Sequence, residues 1–581
     1  MVWWTSWFNC LIMKNSIGLV ILLAALTVAL PLAAQDLSNL KDQKPFGFQG
    51  GLELRGIYYN ANGIANRREP FTYLLSGSPT VSLYGWSIPF SFTVSKDERS
   101  FRQPFNQFGM SPTYKWITLH AGYRNVTFSP YTLAGHTMLG GGFEINPGKL
   151  RAGFMYGRLN RATVIDSTTQ SLVPFSFSRK GMAGKLGFGT ATNHFDLNFL
   201  HAKDDSTSGP GIPLHDSTRV LAAANTVLGY SLKFLLFKRL TIESDGAASI
   251  YTRDLNSPIS FDSIADPVLK RLKGMLDVNG STEWFLAFNA GIGYRAENYG
   301  VKVNYRRIEP DFKTMGAYFF ANDVENITIN PNFALPNGRL RVNASLGIQQ
   351  DNVNLQKEAT TKRIIGSGTV GAEITDRLGV DINYSNFSNN QRPNTLRFAD
   401  SLKIVQTTQM LNIMPRYTVI GQHLTHMLLL SVNLSGMKDY NSYFEQEAAN
   451  RDIRTSQYLL NYNVSFPMRG LTVFASVSHT AMSGAGTETS YNGVTLGGNY
   501  SLLKQQLQAG LNTSVMQGKT AAGKSMIING TLNVNYRINS WQSIRASYFL
   551  TNNNPGSVVT GMNPAFTETR GELAYQINFG L

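Results

Sequence analysis

Apolar residues recur at every second position over long stretches of this chain, and no other feature constrains the fold as tightly. Leu340, Val342, Ala344, Leu346 and Ile348 alternate with Arg341, Asn343, Ser345 and Gly347. Tyr458, Leu460, Tyr462, Val464 and Phe466 alternate with Asn461, Asn463 and Ser465. Leu532, Val534, Tyr536 and Ile538 alternate with Asn533, Asn535 and Arg537. Successive side chains of an extended strand point to opposite faces. Each run therefore has one apolar face and one face of Asn, Ser, Gly and Arg, and the second suits water rather than a packed core.

The connections between runs carry a second pattern. Several are only a few residues long, around Phe237 and Lys238, Asp376 and Arg377, Gly421 and Gln422, Pro467 and Met468, Leu503 and Lys504, and Asn539 and Ser540. Others are long and polar, over 203–218, 254–280, 388–403, 438–454 and 552–565. Short turns on one side and long loops on the other are the habit of barrels that cross a membrane with strands. The fold class read from the sequence is therefore all-β: a transmembrane antiparallel β-barrel of about 24 strands, within a range of 18–26, over residues 46–581. In hydrocarbon every backbone N–H and C=O must be paired internally, so such a sheet has to close on itself. Residues 96–113 break the alternation of short and long links. Two readings stand here: a miscounted strand nearby, or a segment folded into the pore.

Charged residues make up only 15% of the chain, against about 25% in an ordinary soluble domain. The single apolar run approaching spanning length lies at the N-terminus, from Ile17 to Leu30, after Lys14 and before Pro31, Leu32, Ala33, Ala34 and Gln35. A basic start, a short apolar core and small residues describe a secretory signal peptide. Residues 1–34 are expected to be removed, with Met13 as the true start, leaving a short periplasmic segment over 35–45. That segment is too short for an N-terminal plug domain. Cys10 is the only cysteine and lies upstream of the apolar run. The mature chain then has no disulfide, thiolate nucleophile or Cys-ligated zinc. The net charge of +15 points to acidic headgroups or anionic solutes, since an exported chain rarely meets nucleic acid.

Motifs suggestive of chemistry are weak. Gly518, Gly523, Lys524 and Ser525 match the spacing of a phosphate-binding loop. Such a loop must open a helix whose terminal amides cradle phosphate, whereas here the chain leads into a strand. His423 and His426 are three apart in a strand, so they point to opposite faces and chelate poorly. His215, Asp216 and Ser217 sit in a loop rich in Pro and Gly. Gly140, Gly141 and Gly142 read as a strand kink or as space for a neighbouring side chain. No catalytic residue, metal ligand or cofactor is assigned. The charges at polar positions of the alternating runs are more informative. Arg55, Arg151, Lys302, Arg306, Arg341, Arg537 and Arg545 are expected to face the lumen, opposed by Glu53, Asp196, Glu283 and Asp381.

The chain ends with Leu573, Tyr575, Ile577, Phe579 and Leu581 on one strand face and Gln576 and Asn578 on the other. This resembles the C-terminal insertion signal of Gram-negative outer-membrane proteins. The chain as a whole resembles the porin-like outer-membrane barrels, of Bacteroidota type. The resemblance implies integral residence in the outer membrane, contact with lipid and lipopolysaccharide, and delivery by the barrel-insertion machinery. It implies a passive channel, not an enzyme, and the basic lumen positions suggest a preference for anions. The alternative is a non-conducting anchor or assembly subunit for a surface secretion or adhesion system, with surface proteins as partners.

Overall fold

The computed structural model describes residues 45–96, 107–163, 176–208, 221–259, 266–272, 276–317, 322–357, 359–393, 404–439, 452–484, 486–520, 523–556 and 564–580. The proposed leader and the His215, Asp216, Ser217 group lie outside them.

Twenty-six antiparallel strands form one closed sheet. The first strand, Phe46–Asn62, pairs with the last, Phe566–Gly580, from Gln49 opposite Gly580 to Asn62 opposite Thr567. Phe48 stacks on Phe579 across this seam, with ring centroids 4.4 Å apart. Closure leaves no free edge, so the ladder satisfies its own backbone polar groups.

Two strands are each broken in the middle. Phe71–Gly77 and Thr80–Leu83 both pair with Phe46–Asn62 and with Trp86–Ser95. Gln107–Met110 and Thr113–Tyr114 both pair with Trp86–Ser95 and with Ile117–Asn125. A proline stands in each break, Pro79 and Pro112, where the missing N–H cannot donate to the ladder. These breaks account for the trouble around 96–113. The described part, from Gln107 onward, is wall strand, and the link from Ser95 to Gln107 belongs to the end with long connections. Residues 97–106 lie outside the described residues.

Turns at one end of the barrel are uniformly short, as at 237–239, 296–298 and 503–506. Phe237 and Lys238 both take positive φ, 52° and 58°, which matches the twist of a tight hairpin although neither is glycine. The opposite end carries long connections, including 126–136, 253–281 and 309–323. It also carries two tight hairpins. One holds the phosphate-loop match: Gly518 pairs with Ser525, Lys519 with Lys524 and Thr520 with Gly523. The segment is continuous sheet with no helix terminus, so nothing there can cradle a phosphate in the manner the motif requires.

The outer face is apolar: Leu346, Ile364, Leu511 and Leu573 point away from the barrel and stay more than half exposed. Tyr384, Tyr462 and Tyr548 share that face. Tyr548 sits at mid-strand. Leu573, Tyr575, Ile577 and Phe579 hold the same outward phase in the last strand.

Candidate pore interior

The buried core of this protein lies inside the barrel, against one side of the wall. Two connections from the long-loop end fold inward, 126–136 and 309–317. They bring Phe128, Tyr131, Leu133, Phe312 and Met315 against wall residues Met138, Met155, Leu159, Leu200, Val227, Ala247, Ala287 and Ile308. Burying each large apolar side chain contributes roughly 1.5–3 kcal/mol. The connections 126–136 and 309–317 were not among the long polar links read from the sequence, and both carry large apolar side chains. Phe128, Tyr131 and Leu133 in the first, and Phe312 and Met315 in the second, were the signal available for finding them.

Hydrogen bonds lock the two segments together and to the wall. The Ala134 N–H donates to the Gly316 carbonyl at 2.9 Å. The Thr314 hydroxyl donates to the Thr132 carbonyl at 2.6 Å. The Met315 N–H donates to Asn225 Oδ1 at 3.0 Å, and the Ser249 hydroxyl donates to the Lys313 carbonyl at 2.7 Å. Tyr131 meets Phe312 edge to face, with centroids 6.0 Å apart. Small wall residues make the seats. A Cβ on Gly153 would lie 2.9 Å from the Phe128 ring, and one on Gly142 would lie 2.2 Å from the Met155 sulfur. Gly142 thus makes room for a neighbouring side chain, the second of the two roles read for that triplet, while a Cβ on Gly140 would meet the Tyr156 carbonyl.

Two titratable groups of the inner segments are shifted by burial, both outside the spanning strands. Desolvation pushes the Tyr131 hydroxyl up to about 12. It pushes His136 down to about 4. His136 is buried beside the Thr137 carbonyl at 3.0 Å, with Arg179 also disfavouring its charged form. A histidine with a depressed folded pKa opposes the docked state in acid. Between its ordinary value near 6.5 and about 4, the undocked chain takes a proton that the docked chain refuses. Docking of 126–136 should therefore weaken progressively as pH falls from 6.5 to 4, by about 3 kcal/mol at most. Hydrogen exchange of the Ala134 amide should accelerate over that window, and His136→Asn should flatten the response. A wild-type rate independent of pH, after correction for intrinsic exchange, would contradict this.

The charges named from the sequence all stand on the strand phase opposite the exposed apolar side chains of the outer face. Glu53 pairs with Arg55, whose Nε lies at 3.0 Å. Arg151 holds Asp196 with two nitrogens, at 2.8 and 2.9 Å. Lys302 pairs with Glu243. Glu283, at the long-loop end, is bound by Arg253 at 2.9 Å. Asp381 lies 3.5 Å from Arg416, which also binds Glu373. Each acidic residue is thus neutralised by a partner. Arg306, in contrast, has a buried Nε that finds no hydrogen-bond acceptor. Among the described residues Arg341, Arg537 and Arg545 make no ion pair, and all three are exposed. Sequence reasoning passed over Arg295, an exposed inward residue at the short-turn end. It also passed over Lys185, which pairs with Glu144 at 3.2 Å beneath the Phe128 ring. The exposed arginines without an ion pair among the described residues, Arg295, Arg341, Arg537 and Arg545, all stand within a few residues of the short turns, whereas Arg306 lies toward the long-loop end of its strand.

No protein-family model matches the chain, and no curated protein matches its sequence. Solved structures similar to it include the P pilus usher (PapC) translocation pore, with 11% identity over 92% of this chain and 99% of that one, at a TM-score of 0.33. The outer membrane protein OpdK from Pseudomonas aeruginosa has 12% identity over 92% and 99% of the two chains, at 0.28. OccAB2 of Acinetobacter baumannii has 10% identity over 66% and 97%, at 0.29. The likeness is one of barrel architecture alone.

Proposed function

We propose that this protein is a porin-like channel of the outer membrane whose water-filled side favours small anionic solutes. The observation that carries this reading is the set of exposed, unpaired arginines at the short-turn mouth of a closed sheet with a polar inner face. A barrel of 26 strands is wider than the 16–18-stranded barrels that already leave an aqueous channel. The two inward segments cover part of the wall and leave inward Ser367 and Thr369, two strands beyond the covered Val324, exposed. Rings of basic side chains in a narrow aqueous passage concentrate anions and repel cations. No residue is given a catalytic role. Short turns face the periplasm in this reading, so the arginine ring guards the periplasmic mouth.

Purified protein in planar bilayers under a KCl gradient should show chloride preference. The preference should fade in concentrated salt, because the screening length drops from about 10 Å at 0.1 M to about 3 Å at 1 M. Replacing Arg341, Arg537 and Arg545 together by Gln should reduce it. Cation preference in the wild type would reject the anion reading. A barrel that stays silent and co-purifies with surface proteins would favour the anchor or assembly role, which the partial filling of the lumen also accommodates.

A further inference from the structure

The outer face carries a feature that a passive pore does not need. Above the apolar band, toward the long-loop end, lies a concavity of about 1060 Å³. It spans the strands from Leu378–Pro393 to Leu507–Thr520. Most of its lining side chains are in the outward phase, shared with the exposed Tyr384, Leu434, Val477 and Leu511. Its upper part presents three exposed cations, Lys438, Arg454 and Lys519, with the hydroxyls of Ser456 and Ser490 between them. Its lower part is apolar, with Tyr384, Leu411 and Leu434.

The charges are not balanced within the sheet. Lys519 stands directly opposite Lys524 across a tight hairpin, both outward and exposed. Like charges directly opposite on neighbouring strands repel and destabilise the pair. One carboxylate, Glu488, lines the concavity with the three cations, and Asp452 and Asp439 lie beside it; Glu488 is not ion-paired with Lys438, Arg454, Lys519 or Lys524 among the described residues, so the lining keeps a net positive charge. An anion between these side chains would relieve the repulsion, and the apolar floor asks that the anion be attached to hydrocarbon.

We propose that this concavity binds the phosphorylated headgroup of an outer-leaflet glycolipid, with phosphate held by Lys438, Arg454 and Lys519 and the first acyl carbons against Tyr384, Leu411 and Leu434. This rests on the reading of the chain as a membrane barrel with its long connections outside. Cations at this height meet phosphate, while the side chains below them meet acyl chains. A free phosphate would use the cations but leave the apolar floor without a role.

The test uses the full-length barrel in detergent micelles, with bisphosphorylated lipid A, its dephosphorylated form and inorganic phosphate as probes. Native mass spectrometry reads bound lipid, so the result does not depend on channel activity or on membrane sorting. Wild type should retain bisphosphorylated lipid A. The Lys438→Gln, Arg454→Gln, Lys519→Gln triple variant should bind at least about tenfold more weakly, since each basic group near a charged lipid surface contributes on the order of 1 kcal/mol. Lys362→Gln, an outward lysine on the strand Ala359–Glu373, should bind as wild type does. Equal binding by the triple variant, or equal binding of dephosphorylated lipid, would overturn the proposal. So would competition by millimolar inorganic phosphate that leaves no lipid bound. Failure here alongside normal anion conductance would reject this site and leave the channel reading standing.

Discussion

In a Gly316→Ala variant the two segments inside the barrel should separate and the channel should conduct in larger steps. The added Cβ would lie 2.4 Å from the Thr132 carbonyl oxygen and 3.0 Å from the Leu133 Cα. Both are backbone atoms of the facing segment, which is itself pinned by the Ala134 and Thr314 hydrogen bonds. The Leu200 Cδ2, at 3.1 Å, could turn aside, but the two nearer contacts are backbone and cannot. Overpacking of this kind costs about 1–3 kcal/mol. Separation then also forfeits the Ala134-to-Gly316 bond and the contact between Tyr131 and Phe312. Since in-folded connections open and close locally while the wall persists, the barrel should keep its melting temperature as the amides of Ala134 and Met315 lose exchange protection. Gly571→Ala is the matched control, because nothing lies within 4 Å of a Cβ there. Unchanged conductance and unchanged protection in Gly316→Ala would mean that these segments do not limit the pore.

Leu532→Arg should damage the wall itself. Leu532 lies near the middle of the strand Gly523–Arg537, outward, with Leu511 and Tyr548 directly opposite on its two neighbours. An arginine on the lipid face near the bilayer midplane costs roughly 2–4 kcal/mol. Asn533 is one residue on and points inward, between Gly510 and Ser547. Asn533→Arg should cost far less, because its guanidinium stays in water. Unfolding of the two variants in lipid vesicles by denaturant compares them directly. Equal destabilisation would mean that both faces of this strand are dry, or that its register is shifted by one.

Much of this architecture is legible in the sequence because a strand's two faces are coupled to its residue numbers with a period of two. Leu532 and Asn533 can be assigned to lipid and lumen from their neighbours alone, and the closed sheet follows from the need to pair every backbone group in hydrocarbon. The C-terminal run from Leu573 to Phe579 declares its phase in the same way. The 26 strands fall within the expected range of 18–26 around a value of about 24, and Pro79 and Pro112 interrupt two of them. Local pattern cannot tell a proline in a broken strand from a proline in a turn, since only the pairing on both sides identifies the wall.

The alternation by itself determined the barrel, its two faces and the inward phase of Arg341, Arg537 and Arg545, since these depend on neighbours in the chain. Only the tertiary structure decided which charges remain uncompensated. Arg151 meets Asp196 from a strand 45 residues away, and Lys302 meets Glu243 from 59 residues away. It also decided that 126–136 and 309–317 turn inward and clasp each other. Their contacts join residues as far apart as Thr132 and Thr314, and a connection's own composition cannot show which distant segment will cover its apolar side chains.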